Sequence, residues 1–224
     1  MAAESFQGFV FDMDGVLTDT ESLWDEVRRG LAAEAGLPWP NEATAAMMGM
    51  STPEWAAYLV ETVGLPGPPD RVATEVIDAM AERYRDHLPT MPGAVAAVRR
   101  MAALLPIGLA SSSPRRLIDT VLAELDLTDL FAVTVSTEEM DRGKPAPDGY
   151  LRACELLGVD PVRCAAIEDS SNGLRAAHAA GLTVIAVPHE DHPPATDALA
   201  LAAVVIDSLD ELDANLLTRL ATRL

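Results

Sequence analysis

The sequence predicts an α/β fold: a doubly wound, Rossmann-like parallel sheet with an inserted all-helical cap domain after its first strand. Three observations carry this expectation. Short apolar runs bounded by turn residues alternate with amphipathic stretches along most of the 224 residues. The first two apolar runs, ending at Phe11 and starting at Ile107, lie much further apart than the roughly 10–15 residues of a crossover helix. Polar clusters also recur where apolar runs stop, and doubly wound sheets bind ligands at the carboxyl ends of their strands.

In chain order, Gly8–Phe11, Ile107–Ala110, Ala132–Val135, Ala165–Ile167, Thr183–Val187 and Ala203–Ile206 read as strands. The stretches Gly93–Leu105, Arg115–Leu125, Asp148–Leu157, Gly173–Ala180 and Ser208–Leu220 have the apolar spacing of helices. The insertion begins with a helix over Glu21–Ala35, closed by Gly36, and a second short helix starts after Asn41. A third opens at Ser51-Thr52-Pro53-Glu54, where Ser51 caps, Glu54 reaches back and Pro53 sits in the first turn. It ends near Gly64. The Pro/Gly-rich segment Leu65–Pro69 then leads to a last helix, Asp70–Leu88, stopped by Pro89. Residues 1–17 and 89–224 are thus assigned to the Rossmann-like core and 18–88 to the cap.

Composition narrows the function. There are 35 acidic against 16 basic side chains, a formal net charge of −19. Such acidity opposes a nucleic-acid or membrane partner, because both need a basic face. At 49% hydrophobic and 23% charged residues, the chain can bury a sizeable core. The start lacks a basic segment followed by an apolar one, so no secretory signal is expected. No apolar run approaches the ~18–20 residues of a membrane span. Cys154 and Cys164 form no C-x-x-C pair and read as reduced, packed thiols. The expectation is a cytoplasmic protein, monomeric or weakly dimeric. Fifteen of the basic residues are arginines, and Lys144 is the only lysine.

Four clusters are candidates for chemistry. Asp12-Met13-Asp14-Gly15 ends the first strand. Ser111-Ser112-Ser113 follows the second, Lys144-Pro145 lies in the loop after the third, and Glu168-Asp169-Ser170-Ser171-Asn172-Gly173 follows the fourth. Nineteen aspartates make one or two D-x-D pairs expected by chance, so position carries the argument rather than the pair. Taken singly, a Ser triplet is a common turn, and Glu168-Asp169 suits a helix N-terminus. If the four loops share one rim, Asp12, Asp14, Glu168 and Asp169 crowd together and repel. A hard divalent cation relieves this, and Mg²⁺ takes one or two carboxylates, water and phosphate oxygens. Lys144 and Ser111 would complete an anion pocket, with phosphate its natural occupant.

Asp12-x-Asp14-Gly15-Val16-Leu17-x-Asp19-Thr20-Glu21, Ser111, Lys144-Pro145 and Glu168-Asp169-Ser170 resemble the four motifs of the haloacid dehalogenase superfamily. Within it they resemble the branch of β-phosphoglucomutases and phosphoglycolate phosphatases, which carry a helical cap after strand one. The resemblance implies that Asp12 is the nucleophile forming an aspartyl-phosphate, and that Asp14 is general acid and then base. It implies that Ser111 and Lys144 hold the phosphoryl oxygens, with Thr20 and Ser112 at the substrate. It places Mg²⁺ on Asp12, the Asp14 backbone carbonyl and Asp169, with Glu168 a ligand or its neighbour.

The expected function is a Mg²⁺-dependent phosphatase of small phosphorylated metabolites, sugar phosphates foremost. A phosphomutase is the alternative. The β-phosphoglucomutases carry an Arg in the cap loop matching Gly49-Met50-Ser51-Thr52 and a His where this chain has Trp24; here Thr52 and Trp24 hold those places. Without a cap cation for a second phosphate, hydrolysis is favoured. A dehalogenase is disfavoured because that branch does not use the second aspartate. A receiver-like phosphoacceptor domain would be about half this length and lack the insertion. Three features carry weaker signals. His189-Glu190-Asp191-His192 resembles a metal cluster but reads as a solvated or cap-facing loop before Pro193-Pro194. Arg115-Arg116 are secondary candidates for phosphate. Trp24, Trp39 and Trp55 read as mostly core, with one lining a substrate pocket.

Overall fold

A computed structural model describes residues 5–47, 50–189 and 193–222. Strand β1 (Gly8–Phe11) is buried at all four positions, as a strand covered on both faces must be. Beyond it the chain makes a tight turn. Gly15 adopts φ +78°, its N–H donates to the Thr18 carbonyl (2.7 Å), and Met13, Val16 and Leu17 pack inward with no exposed surface. Thr18 bridges antiparallel to Thr90, and the Asp19 N–H donates to the Pro89 carbonyl (3.1 Å). The segments that leave and re-enter the core therefore pair with each other. This pairing moves the boundary read from sequence: the chain divides into Met1–Asp19 with Pro89–Leu224, and Thr20–Leu88. Thr18 and Asp19 stay with the core.

The inserted unit contains four α-helices, α1 (Glu21–Glu34), α2 (Ala43–Met47), α3 (Thr52–Tyr58) and α4 (Pro69–Asp86). Ser51 starts α3: its N–H (2.8 Å) and hydroxyl (2.6 Å) both donate to the Glu54 carboxylate, which this holds below its ordinary pKa. The helix widens into one π-turn over Leu59–Val63 and stops at Gly64 (φ 92°), a left-handed position that suits glycine. Helix α4 presents Val72, Val76, Met80 and Tyr84 at four-residue spacing, all buried, to form the unit's interior with Trp55 and Leu59. Of the three tryptophans only Trp55 is core. Trp24 meets it edge-on at 5.9 Å, and the Arg28 guanidinium lies 4.8 and 5.0 Å from the two ring centres. Burial presses the Arg28 pKa down to about 10, against the opposing pull of Glu21 and Asp25. Trp39 is half-buried under Arg29.

The core alternates as expected. After α5 (Ala94–Ala102) come β2 (Ile107–Ser111), α6 (Arg115–Glu124), β3 (Phe131–Ser136) and α7 (Asp148–Leu157). Then follow β4 (Cys164–Glu168), α8 (Ser171–Ala179), β5 (Thr183–Ala186), the short α9 (Thr196–Leu199), β6 (Val204–Val205) and α10 (Ala214–Ala221). The six strands are parallel in the order β3-β2-β1-β4-β5-β6. The chain builds outward from β1 to β3, then returns to β4 and builds the other way. The order reverses between β1 and β4, which is where such sheets bind ligands. Register sets the rim, because Phe11 pairs with Leu109 on one side and Ile167 on the other. Asp12, Ser111 and Glu168 therefore emerge on one edge. Two expected elements shrink: β6 keeps two residues, and the first turn expected for the last helix is a 3₁₀ turn over Leu209–Glu211. Cys154 and Cys164 are free and buried. Among the described residues no helix is long and apolar enough to cross a membrane.

Candidate active site

Asp12 is the first residue past β1, and its backbone N–H still donates to the Ile167 carbonyl of β4 (3.1 Å). The strand thereby fixes its carboxylate at the rim, where it is 6% exposed. Lys144 reaches this point from the loop after β3. Its ammonium, on a side chain 5% exposed, donates to Asp12 Oδ1 (2.8 Å) and to Glu168 Oε1 (2.6 Å). Glu168 ends β4 and is wholly buried. Its Oε1 also accepts from the Tyr150 hydroxyl of α7 (2.7 Å), and its Oε2 from the Ser170 hydroxyl (3.1 Å). Ser170 in turn caps α8 by accepting from the Gly173 N–H (3.1 Å).

Asp169 completes the cluster. Oxygens of Asp12, Glu168 and Asp169 all lie within 4.8 Å of one another. Three carboxylates against one ammonium cannot share a dry site at no cost. Burial, then the charge of Glu168, pushes Asp12 up to about 7 although Lys144 pulls it down. Burial and the charges of Glu168 and Asp12 push Asp169 well above the usual carboxylate range. Burial alone would lower Lys144, but Asp12 and Glu168 outweigh it and hold the ammonium above its ordinary pKa. Tyr150 is raised by burial and by Glu168, so it stays a donor.

Two observations suit this cluster to a hard divalent cation such as Mg²⁺. Asp169 Oδ1 is buried and accepts no hydrogen bond from the described residues. A Cβ on Gly15 would sit 2.0 Å from Asp169 Oδ2, so only a glycine there leaves room for that carboxylate beside the D-x-D turn. Oxygen donors with unmet demand, in a cradle of small residues, are what Mg²⁺ binds.

The remaining candidates fall out as follows. Ser111 is buried at the end of β2, and its Oγ accepts from the Ser113 N–H (3.0 Å). Ser112 is exposed. Asp14 Oδ2 accepts from the Ser113 hydroxyl (2.6 Å), and Oδ1 from Thr18 at a long 3.4 Å. Thr20 is buried and belongs to the inserted unit, one residue before α1. Arg115 is committed to Glu139 (2.9 Å) and to the Thr134 hydroxyl (2.6 Å) of β3, tying α6 to the sheet. His189 lies 3.8 Å from Asp19, while Glu190–His192 fall outside the described residues.

Tyr150 was missed as a neighbour of the cluster, and Ser113 was named only within the serine triplet. Tyr150 reads as an apolar residue on the buried face of its helix, which it also is. Ser113 had a usable signal: alternation past a strand end puts 111 and 113 on one side and 112 on the other.

Comparison with known proteins decides the family. The haloacid dehalogenase-like hydrolases match residues 6–181. The chain belongs to that family. Hexitol phosphatase B of Escherichia coli (strain K12) is 35% identical over 217 residues, covering 92% of this chain and 94% of that protein. A phosphorylated carbohydrates phosphatase of Thermotoga maritima is 32% identical over 177 residues, covering 79% of this chain and 82% of its own. The crystal structure of CbbY from Rhodobacter sphaeroides in complex with phosphate superposes with a TM-score of 0.80 at 25% identity, over 92% of this chain and 96% of that one. As a haloacid dehalogenase-like hydrolase, the chain is an enzyme.

Two outcomes follow for this hydrolase. A Cβ at position 173 would lie 1.9 Å from the Glu168 carboxyl group. Gly173→Ala must therefore displace Glu168, destabilising the fold by about 1–3 kcal/mol and lowering turnover. Denaturant melts and steady-state rates test both, and wild-type values for each would show that Glu168 has room to move.

The second outcome concerns pH. Unfolded Asp12 titrates near 3.8 and the folded group near 7. Its contribution is therefore fully present below about 4 and lost as pH rises through about 7. In metal-free protein the melting-temperature advantage of Asp12→Asn over wild type should widen by at least about 3 °C between pH 5 and 8. A margin constant with pH would place the folded Asp12 at an ordinary carboxylate pKa.

Proposed function

We propose that this hydrolase is a Mg²⁺-dependent phosphatase of small organic monophosphates, sugar phosphates above all, acting through an aspartyl-phosphate on Asp12. One observation carries the reading. A buried ammonium bridges the Asp12 and Glu168 carboxylates beside an unsatisfied Asp169 oxygen, at the point where the strand order reverses. The relatives support the substrate class, since hexitol phosphatase B and the carbohydrate phosphatase are named for hydrolysis of phosphorylated polyols and sugars.

Asp12 attacks phosphorus in line, forming the O–P bond as the ester oxygen leaves. Asp14 gives that oxygen its proton, and then takes one from the water that attacks the aspartyl-phosphate, returning Asp12 and inorganic phosphate. Lys144 faces the equatorial oxygens as their charge develops, and the Ser111 hydroxyl holds one of them. Glu168, itself held by Tyr150 and Ser170, keeps the ammonium aimed at Asp12. Asp12, Asp169 and the Asp14 carbonyl would hold Mg²⁺, with Glu168 beside it; when bound, the ion neutralises the carboxylates and the phosphoryl oxygens. Hydrolysis rather than mutase chemistry is favoured by Trp24 and Thr52. The first packs against Trp55 and Arg28 and the second opens α3, so neither supplies a cation for a second phosphate.

A panel of phosphorylated metabolites, read by phosphate release, tests the reading directly. Wild type should hydrolyse sugar or polyol phosphates with added Mg²⁺ and stop when the metal is chelated. Asp12→Asn should remain folded and release no phosphate. Turnover by clean Asp12→Asn protein, or full activity after exhaustive chelation, would overturn it.

The lone lysine allows a separate test. The only amines an acylating reagent could modify are those of Lys144 and the N-terminus. Because neighbouring carboxylates raise Lys144, mildly alkaline conditions are needed. Loss of activity should track acylation of Lys144 by peptide mapping, and inorganic phosphate should slow both. Protein acylated at Lys144 that keeps its original rate would remove the lysine from the mechanism.

A further inference from the structure

Ser113 occupies an unusual position among the core residues. Its backbone is fixed on both sides: the N–H donates to Ser111 Oγ (3.0 Å), and the carbonyl accepts from the Ser136 hydroxyl of β3 (2.7 Å). The residue is 6% exposed. Its own hydroxyl donates to Asp14 Oδ2 at 2.6 Å, a charge-assisted bond much shorter than the 3.4 Å contact from Thr18 to Oδ1. Asp14 itself lies in a turn rather than a strand, beside the positive-φ Gly15. A carboxylate there has two soft side-chain torsions, which a short bond from a backbone-fixed donor restrains.

We infer that Ser113 is a positioning residue for Asp14. It pins one carboxylate oxygen and so sets the orientation in which the carboxyl group meets the proton's other partner. Because the same residue fixes the Ser111 hydroxyl, the proton donor and the phosphoryl contact keep a constant spacing. Ser113 touches no reacting atom. The inference rests on Asp14 acting as acid and base in the proposed phosphatase reaction.

Ser113→Ala removes only the hydroxyl, because both backbone bonds survive it. The readout is dependence on the leaving group. A sugar alkoxide needs a proton to depart, whereas p-nitrophenolate does not. In kcat/KM, which reports formation of the aspartyl-phosphate, Ser113→Ala should lower activity on the best sugar phosphate by about tenfold or more, within the range of general acid catalysis. Activity on p-nitrophenyl phosphate should fall by no more than about threefold, since the acid is not used there. Ser113→Thr keeps the donor and should restore the ratio of the two. Should Ser113→Ala fail to fold, Ser113→Cys, with a weak donor of similar size, carries the same test.

Asp14→Asn calibrates the ratio expected when the acid is lost outright. Equal losses on both substrates would make Ser113 merely structural and overturn the inference. An unchanged ratio in Ser113→Ala, with a collapsed ratio in Asp14→Asn, would overturn the positioning role alone. If Asp14→Asn also leaves the ratio unchanged, the role of Asp14 falls and Ser113 with it. Wild type that hydrolyses neither substrate would refute the phosphatase reading itself.

Discussion

The core is organised around one buried electrostatic problem. Lys144 is inserted between Asp12 and Glu168 with Asp169 alongside, so three carboxylates meet one ammonium where water is scarce. A buried charge without a partner is among the costliest things a fold can contain. The surrounding structure meets that cost with donors. Tyr150 and Ser170 saturate Glu168, the Ile167 carbonyl anchors the Asp12 backbone, and Gly15 and Gly173 give up side chains so that the carboxyl groups of Asp169 and Glu168 can approach. Among the described residues Asp169 Oδ1 is the oxygen left over. Elements far apart in sequence are thus constrained by the same few ångströms: the ends of β1 and β4, the loop after β3, and the starts of α7 and α8.

Much of this was legible in the sequence because parallel strands and motif ends are local signals. Each strand is an apolar run cut off by a polar cluster, and the cluster's place at a carboxyl end follows from the fold class. The insertion was visible as a missing crossover. Its helix starts were visible as Ser51-x-x-Glu54 and the prolines before Asp70. What could not be read depends on register or on burial. Thr18 and Asp19 belong to the core only because Thr90 and Pro89 return beside them. Trp39 looks like core by composition, yet it supports an arginine at a half-exposed position. Tyr150 reads as packing until the sheet places Glu168 under its hydroxyl. Ser112 and Ser113 differ by one residue, and a one-residue step past a strand reverses the direction of the side chain.

The charge distribution bears on how the site attracts its substrate. The chain carries a formal −19, and the site adds no local exception while it holds three carboxylates and one lysine. The single ammonium is already shared between Asp12 and Glu168, so little of its field is left for an incoming anion. An unassisted phosphate dianion meets repulsion at short range and, at low ionic strength, at long range. Affinity for a phosphate ester must therefore come from groups that counter the carboxylates. The raised pKa values of Asp12 and Asp169 record the same imbalance from the protein's side. Protons or a divalent cation can correct it, but only the cation also leaves Asp12 ionised, as the proposed attack on phosphorus requires. In the proposed reaction nucleophilicity and substrate binding thus make the same demand on one cluster, which accounts for three acids at the rim where one would suffice for the attack.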